Sequence, residues 1–258
     1  MTLRLFPDEI RYRTMATGQR VARPFALRWL LPAVCRTNRT AWLTVQIVSF
    51  LALAGLVGVE TGKWWAGLLL LGCSGLTLNL KHPFLVDLPA LALAYGSAVA
   101  WTHGLWWIAL GLILIAGCVK ESAPVFGAAF CLSPWLLIGL LPVGCRWLMR
   151  SGPDVLDAKN AWILEHPFRA SWEFHRPLPP AVYVLPWGVL LLGLVHPTAA
   201  VLVPLGLAMG SLLVATDTVR LYQWAAPALI VATVPIIGPW VIPAVLLHLT
   251  NPFASEGF

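Results

Sequence analysis

Charged side chains are scarce in this chain of 258 residues. Asp, Glu, Lys and Arg make up only 11%, against about 25% in an ordinary soluble domain. Hydrophobic residues make up 59%, and the mean hydropathy is +0.80. A soluble protein of this size could not hide so much apolar surface, so the composition excludes a water-soluble globular fold. It excludes a disordered chain as well, because such chains are poor in apolar residues.

Several sequence patterns that would indicate other classes of protein are also missing. No run alternates apolar and polar residues as a transmembrane barrel strand does, so we expect membrane-spanning helices. The five cysteines show no CxxC spacing, which argues against a disulfide framework or a metal site. P-loop, GxGxxG, HExxH and GxSxG motifs are absent. The N-terminus lacks the uninterrupted apolar core of a signal peptide, so no cleaved targeting segment is expected.

Basic residues are present in excess, and their placement indicates their partners. The formal net charge is +6, and eight of the 17 Lys and Arg residues lie before residue 40. Five more lie between residues 146 and 176. They are spread among apolar residues and are not clustered on a helix with interleaved aromatics, so we expect no nucleic-acid partner. Charges excluded from hydrophobic spans face lipid headgroups or anionic ligands, and membrane lipids are the expected partners.

Apolar runs of about 17 to 25 residues are typical of membrane-spanning helices, although shorter ones occur in buried positions. The chain contains about eight such runs: 41–59, 64–80, 83–100, 105–119, 125–141, 182–195, 199–215 and 225–248. Residues 21–35 are too short and too rich in arginine to span, and they predict an amphipathic segment lying in the interface. The predicted fold is therefore all-α, a polytopic transmembrane helical bundle with an interfacial N-terminal segment.

This reading divides the chain into five parts. Residues 1–40 form the interfacial segment, 41–143 the first transmembrane block and 144–181 a polar loop. Residues 182–250 form the second transmembrane block, and 251–258 form a tail. The positive-inside rule favours a cytoplasmic N-terminus for this arrangement. The predicted location is an integral, multi-pass position in a bacterial-type cell membrane.

A few charges lie inside or at the edges of apolar runs, where they are costly and indicate function. Each also has a structural interpretation. Asp87 is suited to the N-terminus of its helix, where the helix dipole favours a carboxylate. Asp217 and Arg220 are spaced for a local ion pair. The adjacent Lys120 and Glu121 are compatible with a turn between two spans.

Four stretches containing these charges resemble, in order, motifs of one family. They are DEIRYRTMATGQRVARPFALRWLLP from Asp8, HPFLVDLPALALA from His82, AGCVKESAPVF from Ala116 and TDTVRLYQWAAP from Thr216. Together they resemble the GT-C superfamily of integral-membrane glycosyltransferases that use polyprenyl-phosphate sugars. The first stretch is similar to the acidic first extracytoplasmic loop of such proteins, and the third to their Lys-Glu motif.

The resemblance implies an inverting sugar transfer without a nucleotide-sugar site or a metal. The donor would be a polyprenyl-phosphate-linked sugar, and an extracytoplasmic N-terminus would place the acceptor on that side. The resemblance places Asp8, or Glu9, as the general base that deprotonates the acceptor hydroxyl. It places Asp87 in the same cavity and Lys120 beside the lipid phosphate, where a cation stabilises the leaving group. Further candidates for phosphate binding are Arg11, Arg28, His82 and Arg220.

A non-catalytic, multi-pass membrane protein is the alternative hypothesis, in a transporter-like or an interaction role. No internal repeat relates the two transmembrane blocks, which weighs against an inverted-repeat transporter. Convergence of Asp8, Asp87 and Lys120 on one site would favour the glycosyltransferase.

Overall fold

The structure is a computed structural model, and it describes residues 6–216, 220 and 223–251, except the side chain of residue 239. Within these residues every regular element is helical, so the all-α prediction is confirmed. Most of the predicted tail and Asp217 lie outside the described residues.

The α-helices follow one another along the chain with short connections. They are α1 (Pro7–Ala16), α2 (Leu30–Cys35), α3 (Arg39–Thr61), α4 (Ser74–Lys81), α5 (Asp87–Thr102), α6 (Trp106–Val119), α7 (Ala123–Cys131), α8 (Leu141–Trp147), α9 (Ala158–Glu165), α10 (Pro167–His175), α11 (Ala181–Val184), α12 (Ala199–Ser211), α13 (Ala226–Ile237) and α14 (Val241–Leu249). Stretches of 3-10 helix are Phe25–Leu27, Trp64–Gly72, Pro134–Leu140, Leu185–Leu194, Gln223–Ala225 and Gly238–Trp240.

One helix among the described residues, α3, is long and apolar enough to cross a membrane. Other predicted spans are interrupted by turns. The run 64–80 is a 3-10 helix and α4, separated by the extended backbone of Cys73. The runs 182–195 and 225–248 are interrupted at Gly188 (φ 50°) and Gly238 (φ 49°). Glycine adopts positive φ readily, and a residue with positive φ cannot continue a right-handed helix.

The predicted polar loop, residues 144–181, contains the short helices α9 and α10. Asp157 caps α9, because its carboxylate accepts a hydrogen bond from the backbone N–H of Asn160 at 3.0 Å. Such a cap satisfies one of the free N–H groups at a helix start. The predicted interfacial segment, 21–35, consists of the 3-10 turn Phe25–Leu27 and α2.

The chain divides into two compact units. Unit 1 holds the described residues up to Phe50, together with Asn79–Ala128 and Pro134–His166. Its core includes the hairpin of α5 and α6, which turns at Gly104 with φ 75°. Helix α6 packs closely on the stretch Pro134–Leu140. A Cβ atom added at Gly139 would lie only 2.6 Å from the carbonyl oxygen of Ile113, so the backbones of the two elements can approach this closely because glycine has no side chain.

Unit 2 holds Leu51–Leu78, Ala129–Ser133 and the described residues from Pro167 onwards. Helix α13 packs on Leu185–Leu194, where Thr233 donates to the carbonyl oxygen of Leu190 at 3.1 Å. The imidazole of His175 lies 3.0 Å from the Tyr183 hydroxyl and 2.8 Å from the carbonyl oxygen of Ala215. These contacts tie α10 and α11 into the unit.

Candidate functional site

The two acidic residues of α1 occupy its first turn, where the helix dipole favours negative charge. They differ in their surroundings. The carboxylate of Glu9 is 1% exposed and lies 2.9 Å from Nδ1 of His82. It also accepts a hydrogen bond from the backbone N–H of Phe6 at 3.1 Å. The carboxylate of Asp8 is 15% exposed, so Asp8 is the member of the pair that a ligand can reach.

Arg11 joins α1 to a residue far along the chain. Its Nε and Nη2 donate to both carboxylate oxygens of Asp154, at 2.9 and 2.6 Å. Its Nη1 lies 3.3 Å from Asp8. Paired contacts of this kind are among the strongest that a guanidinium makes. The hydrogen bonds from Arg11 hold the pKa of Asp154 below its ordinary value.

Arg28 makes a second two-point ion pair. Its Nε and Nη2 donate to the carboxylate of Glu121 at 2.7 and 2.6 Å, and its Nη1 donates to the Tyr12 hydroxyl at 2.8 Å. Burial favours the neutral acid, but the attraction of Arg28 outweighs it and lowers the pKa of Glu121. Burial raises the pKa of Tyr12, so its phenol stays protonated at neutral pH.

A third buried ion pair joins the start of α5 to the end of α6. Asp87 is the first residue of α5, and its carboxylate accepts a hydrogen bond from Nζ of Lys120, directly after α6. Both side chains are buried. The negative charges of Asp8 and Asp87 both raise the pKa of the Tyr12 hydroxyl, in addition to its burial.

An aromatic ring connects two of the ion pairs. The guanidinium carbon of Arg11 lies 4.4 Å from the ring centre of Phe25, and that of Arg28 lies 4.8 Å from it. Such contacts with an aromatic face stabilise a desolvated cation. We call this ring and the ion-paired residues of unit 1 described above the carboxylate cluster: Asp8, Glu9, Arg11, Tyr12, Phe25, Arg28, His82, Asp87, Lys120, Glu121 and Asp154.

The carboxylate cluster includes most of the residues that the sequence singled out. Asp8, Glu9 and Asp87 lie in unit 1, as do the predicted phosphate ligands Lys120, Arg11, Arg28 and His82. Arg220 is a buried residue of unit 2. Sequence reasoning assigned no role to Tyr12, Glu121 or Asp154. Tyr12 and Glu121 stood inside quoted motifs and could have been included, whereas Asp154 stands in an ordinary polar segment.

The charge balance of the cluster limits what it can bind. Five carboxylates face three permanent cations, and each of those cations contacts a carboxylate. A phosphate would therefore have to displace a carboxylate in order to pair with one of these cations.

Comparison of the chain with protein-family models, curated proteins and solved structures finds no match. Among the residues that the structure describes, no group of three or more His, Cys, Asp or Glu side chains is arranged to hold a metal ion. The chemistry of the carboxylate cluster is thus the basis for inferring a function.

Acid should destabilise unit 1. The arginine partners of Asp154 and Glu121 lower the pKa values of these two carboxyl groups in the folded protein. The ion pairs therefore contribute their full stability at pH values above the pKa of about 4 that these groups have in the unfolded chain. That stability is lost as the pH falls through the lower pKa values of the folded protein. We expect the unfolding free energy of the purified protein to fall by about 1 to 3 kcal/mol between pH 5 and pH 2. Thermal unfolding across this range measures the loss.

The variant Asp154→Asn should flatten this acid-dependent loss. Glu173→Gln is the matched control, because Glu173 forms an exposed ion pair with Arg169 at 2.8 Å, and exposed pairs contribute little. If the unfolding free energy of Asp154→Asn falls with pH as it does in the wild type, Asp154 does not contribute to the loss of stability in acid.

Proposed function

We propose that the chain is an integral-membrane glycosyltransferase of the GT-C kind. It transfers a sugar from a polyprenyl-phosphate donor to an acceptor hydroxyl on the extracytoplasmic side. The observation that carries the proposal is the meeting of three quoted motifs in the carboxylate cluster. Asp8 in the first, Asp87 in the second and Lys120 in the third belong to separate helices or turns, yet Asp8 and Asp87 both act electrostatically on Tyr12, and Lys120 donates to Asp87. Burying charges is costly even when they are paired, and charges kept in apolar surroundings are therefore candidates for a function.

A multi-pass arrangement in the bilayer is part of the proposal. Besides α3, the helices α6 and α12 are short and apolar. They expose large hydrophobic side chains, including Trp107 at 87% and Leu202 at 49%. Exposed apolar surface on this scale marks a contact with lipid or with another protein. Lipid contact explains it together with the low charge content of the chain.

Asp8 is the proposed general base. It is the more accessible carboxylate of α1, and Arg11 orients it from 3.3 Å. In the proposed step the acceptor oxygen attacks the anomeric carbon of the donor sugar, and its proton passes to Asp8. The bond between that carbon and the phosphate oxygen breaks, and its electron pair leaves with the polyprenyl phosphate. A carboxylate held by hydrogen bonds at the acceptor typically contributes 10²- to 10⁴-fold to such a step.

Glu9, Asp87 and Lys120 have positioning roles in this proposal. Glu9 and His82 hold the start of α1, and Asp87 and Lys120 join α5 to the turn after α6. Fixing these elements keeps Asp8 in place, and correct placement is a large part of the catalytic advantage of a bound base.

A non-catalytic membrane protein is the second candidate. The observation in its favour is the pairing of Arg11, Arg28 and Lys120 with carboxylates, since such pairs also serve as structural ties. In a transporter-like or interaction role, the same ion pairs would stabilise unit 1 and no reaction would be catalysed.

A donor-consumption assay tests the proposed reaction. Membranes containing the protein are incubated with radiolabelled polyprenyl-phosphate hexoses and total membrane acceptors, and the label remaining in the lipid extract is measured. We expect at least one donor to be consumed faster than in membranes lacking the protein. If every donor persists while the purified protein is folded and monodisperse, the non-catalytic alternative replaces the proposal.

A further inference from the structure

Three arginines meet at a cavity of unit 1 that the proposed reaction does not use. The cavity has a volume of about 290 Å³. Arg20, Arg146 and Arg150 line it together with apolar groups of Met15, Trp29 and Pro32. No acidic side chain is among the described residues that line it. This distinguishes the cavity from the carboxylate cluster, where carboxylates outnumber the cations.

The cavity is held in shape by contacts between its two walls. Residues 15–33 form one wall, and residues 146–150 form the other. The backbone N–H of Gly152 donates to the carbonyl oxygen of Val21 at 2.9 Å. Nη2 of Arg23 donates to the carbonyl oxygens of Trp147 and Met149, at 2.6 and 2.9 Å. The arginines are therefore brought together by the fold and not merely by the flexibility of long side chains.

The positive charge of the cavity is not neutralised. Nε of Arg146 donates to the carbonyl oxygen of Ala26 at 3.2 Å, and its Nη1 contacts the sulfur of Met149 at 2.9 Å. Both acceptors are uncharged. Within the described residues, no ion pair involves Arg20 or Arg150. Three guanidinium groups that share one cavity repel one another, and an anion between them relieves that repulsion.

Hydrophobic side chains continue outward from the cavity. Trp147, Leu148 and Met149 follow Arg146 directly and are exposed, Leu148 to 87%. On the other wall Val34 follows the lining residues and is exposed to 70%. A cationic site bordered by exposed apolar groups matches a ligand with an anionic head and a hydrocarbon chain.

We propose that this cavity binds the phosphate group of a membrane lipid. Guanidinium groups bind phosphate oxygens by paired, charge-assisted hydrogen bonds. The lipid chain would lie against Leu148 and its neighbours. The proposal goes beyond sugar transfer, because it requires a phospholipid or a polyprenyl phosphate as ligand but no reaction. It also provides a phosphate site that the paired cations of the carboxylate cluster do not offer.

Binding of fluorescent lipids to the purified full-length protein in neutral detergent tests the proposal. The probes are phosphatidylglycerol, a polyprenyl phosphate and, as the neutral reference, a diacylglycerol. We expect Arg20→Gln/Arg150→Gln to weaken binding of at least one phosphate lipid by about tenfold or more and to leave the diacylglycerol unaffected. Arg146 is kept, because it also ties the two walls. Arg169→Gln/Arg176→Gln removes the same charge from exposed positions of unit 2 and should bind as the wild type does.

Three results would overturn the proposal. The first is that Arg20→Gln/Arg150→Gln binds the phosphate lipids as tightly as the wild type does. The second is that the Arg169→Gln/Arg176→Gln control loses as much lipid binding as the cavity variant. The third is complete displacement of the lipid by millimolar inorganic phosphate. The last result would define a site for a free anion. Loss of binding in the cavity variant alone supports the proposal. Lipid binding is measured directly, so a negative donor-consumption assay does not affect this outcome.

Discussion

Lys120→Met is expected to lower the unfolding free energy by about 3 to 5 kcal/mol, because it removes the cation that pairs with the buried carboxylate of Asp87. Methionine preserves much of the volume of lysine, so the loss reports charge and not packing. Unfolding of the protein in detergent, followed by temperature or denaturant, measures the change. A loss of this size is a large part of the total stability of a domain.

The double variant Asp87→Asn/Lys120→Met separates pairing from burial. It removes both charges, and we expect it to recover most of the stability that Lys120→Met loses. Arg169→Met is the control, since the ion pair of Arg169 with Glu173 is exposed and contributes at most about 1 kcal/mol. If the double variant is as unstable as Lys120→Met, the side chain of Lys120 acts through its other contacts and not through the pair.

Asp8→Asn is expected to slow sugar transfer by about 10²- to 10⁴-fold while leaving the fold intact. Asparagine keeps the shape of the side chain and an oxygen that can accept from Arg11, but it cannot take up the acceptor proton. The measurement is the rate of donor consumption per folded molecule, at saturating donor. The expected change lies in kcat, because the base acts in the chemical step.

Glu9→Gln is the matched control for Asp8→Asn, since the two residues are adjacent in the first turn of α1. Glu9 is buried against His82, so we expect Glu9→Gln to reduce the amount of folded protein and to change the rate per folded molecule only a few-fold. The reverse pattern, with the rate lost in Glu9→Gln and kept in Asp8→Asn, would transfer the base role to Glu9.

The sequence predicted best those features that depend on local pattern. The apolar run 41–59 corresponds to α3, because a long apolar run without proline favours one continuous helix. A helix N-terminus was one of the two interpretations that the sequence offered for Asp87, and Asp87 begins α5. The breaks at Gly188 and Gly238 were not predicted, since glycine is common in apolar helices and its φ is decided by packing around it.

The candidate site was predicted only as a set of residues. Rare charges in apolar surroundings drew attention to Asp87 and Lys120, but nothing local shows that residues 33 positions apart form one pair. Asp154 gave no signal, because a carboxylate in a polar segment is ordinary. The arginines of the cavity were missed for a similar reason: Arg20, Arg146 and Arg150 come from two segments in which basic residues are frequent, and only the fold selects these three.

The ion pair between Arg11 and Asp154 has a consequence for the time at which unit 1 is completed. The partners are 143 residues apart, and a ribosome adds about 5 to 20 residues per second. Asp154 is therefore synthesised roughly 7 to 30 s after Arg11. During that interval Arg28 and then His82 become available to the side chains of α1, but the two-point ion pair of Arg11 has to wait for Asp154. This contact is therefore among the late steps in the assembly of unit 1.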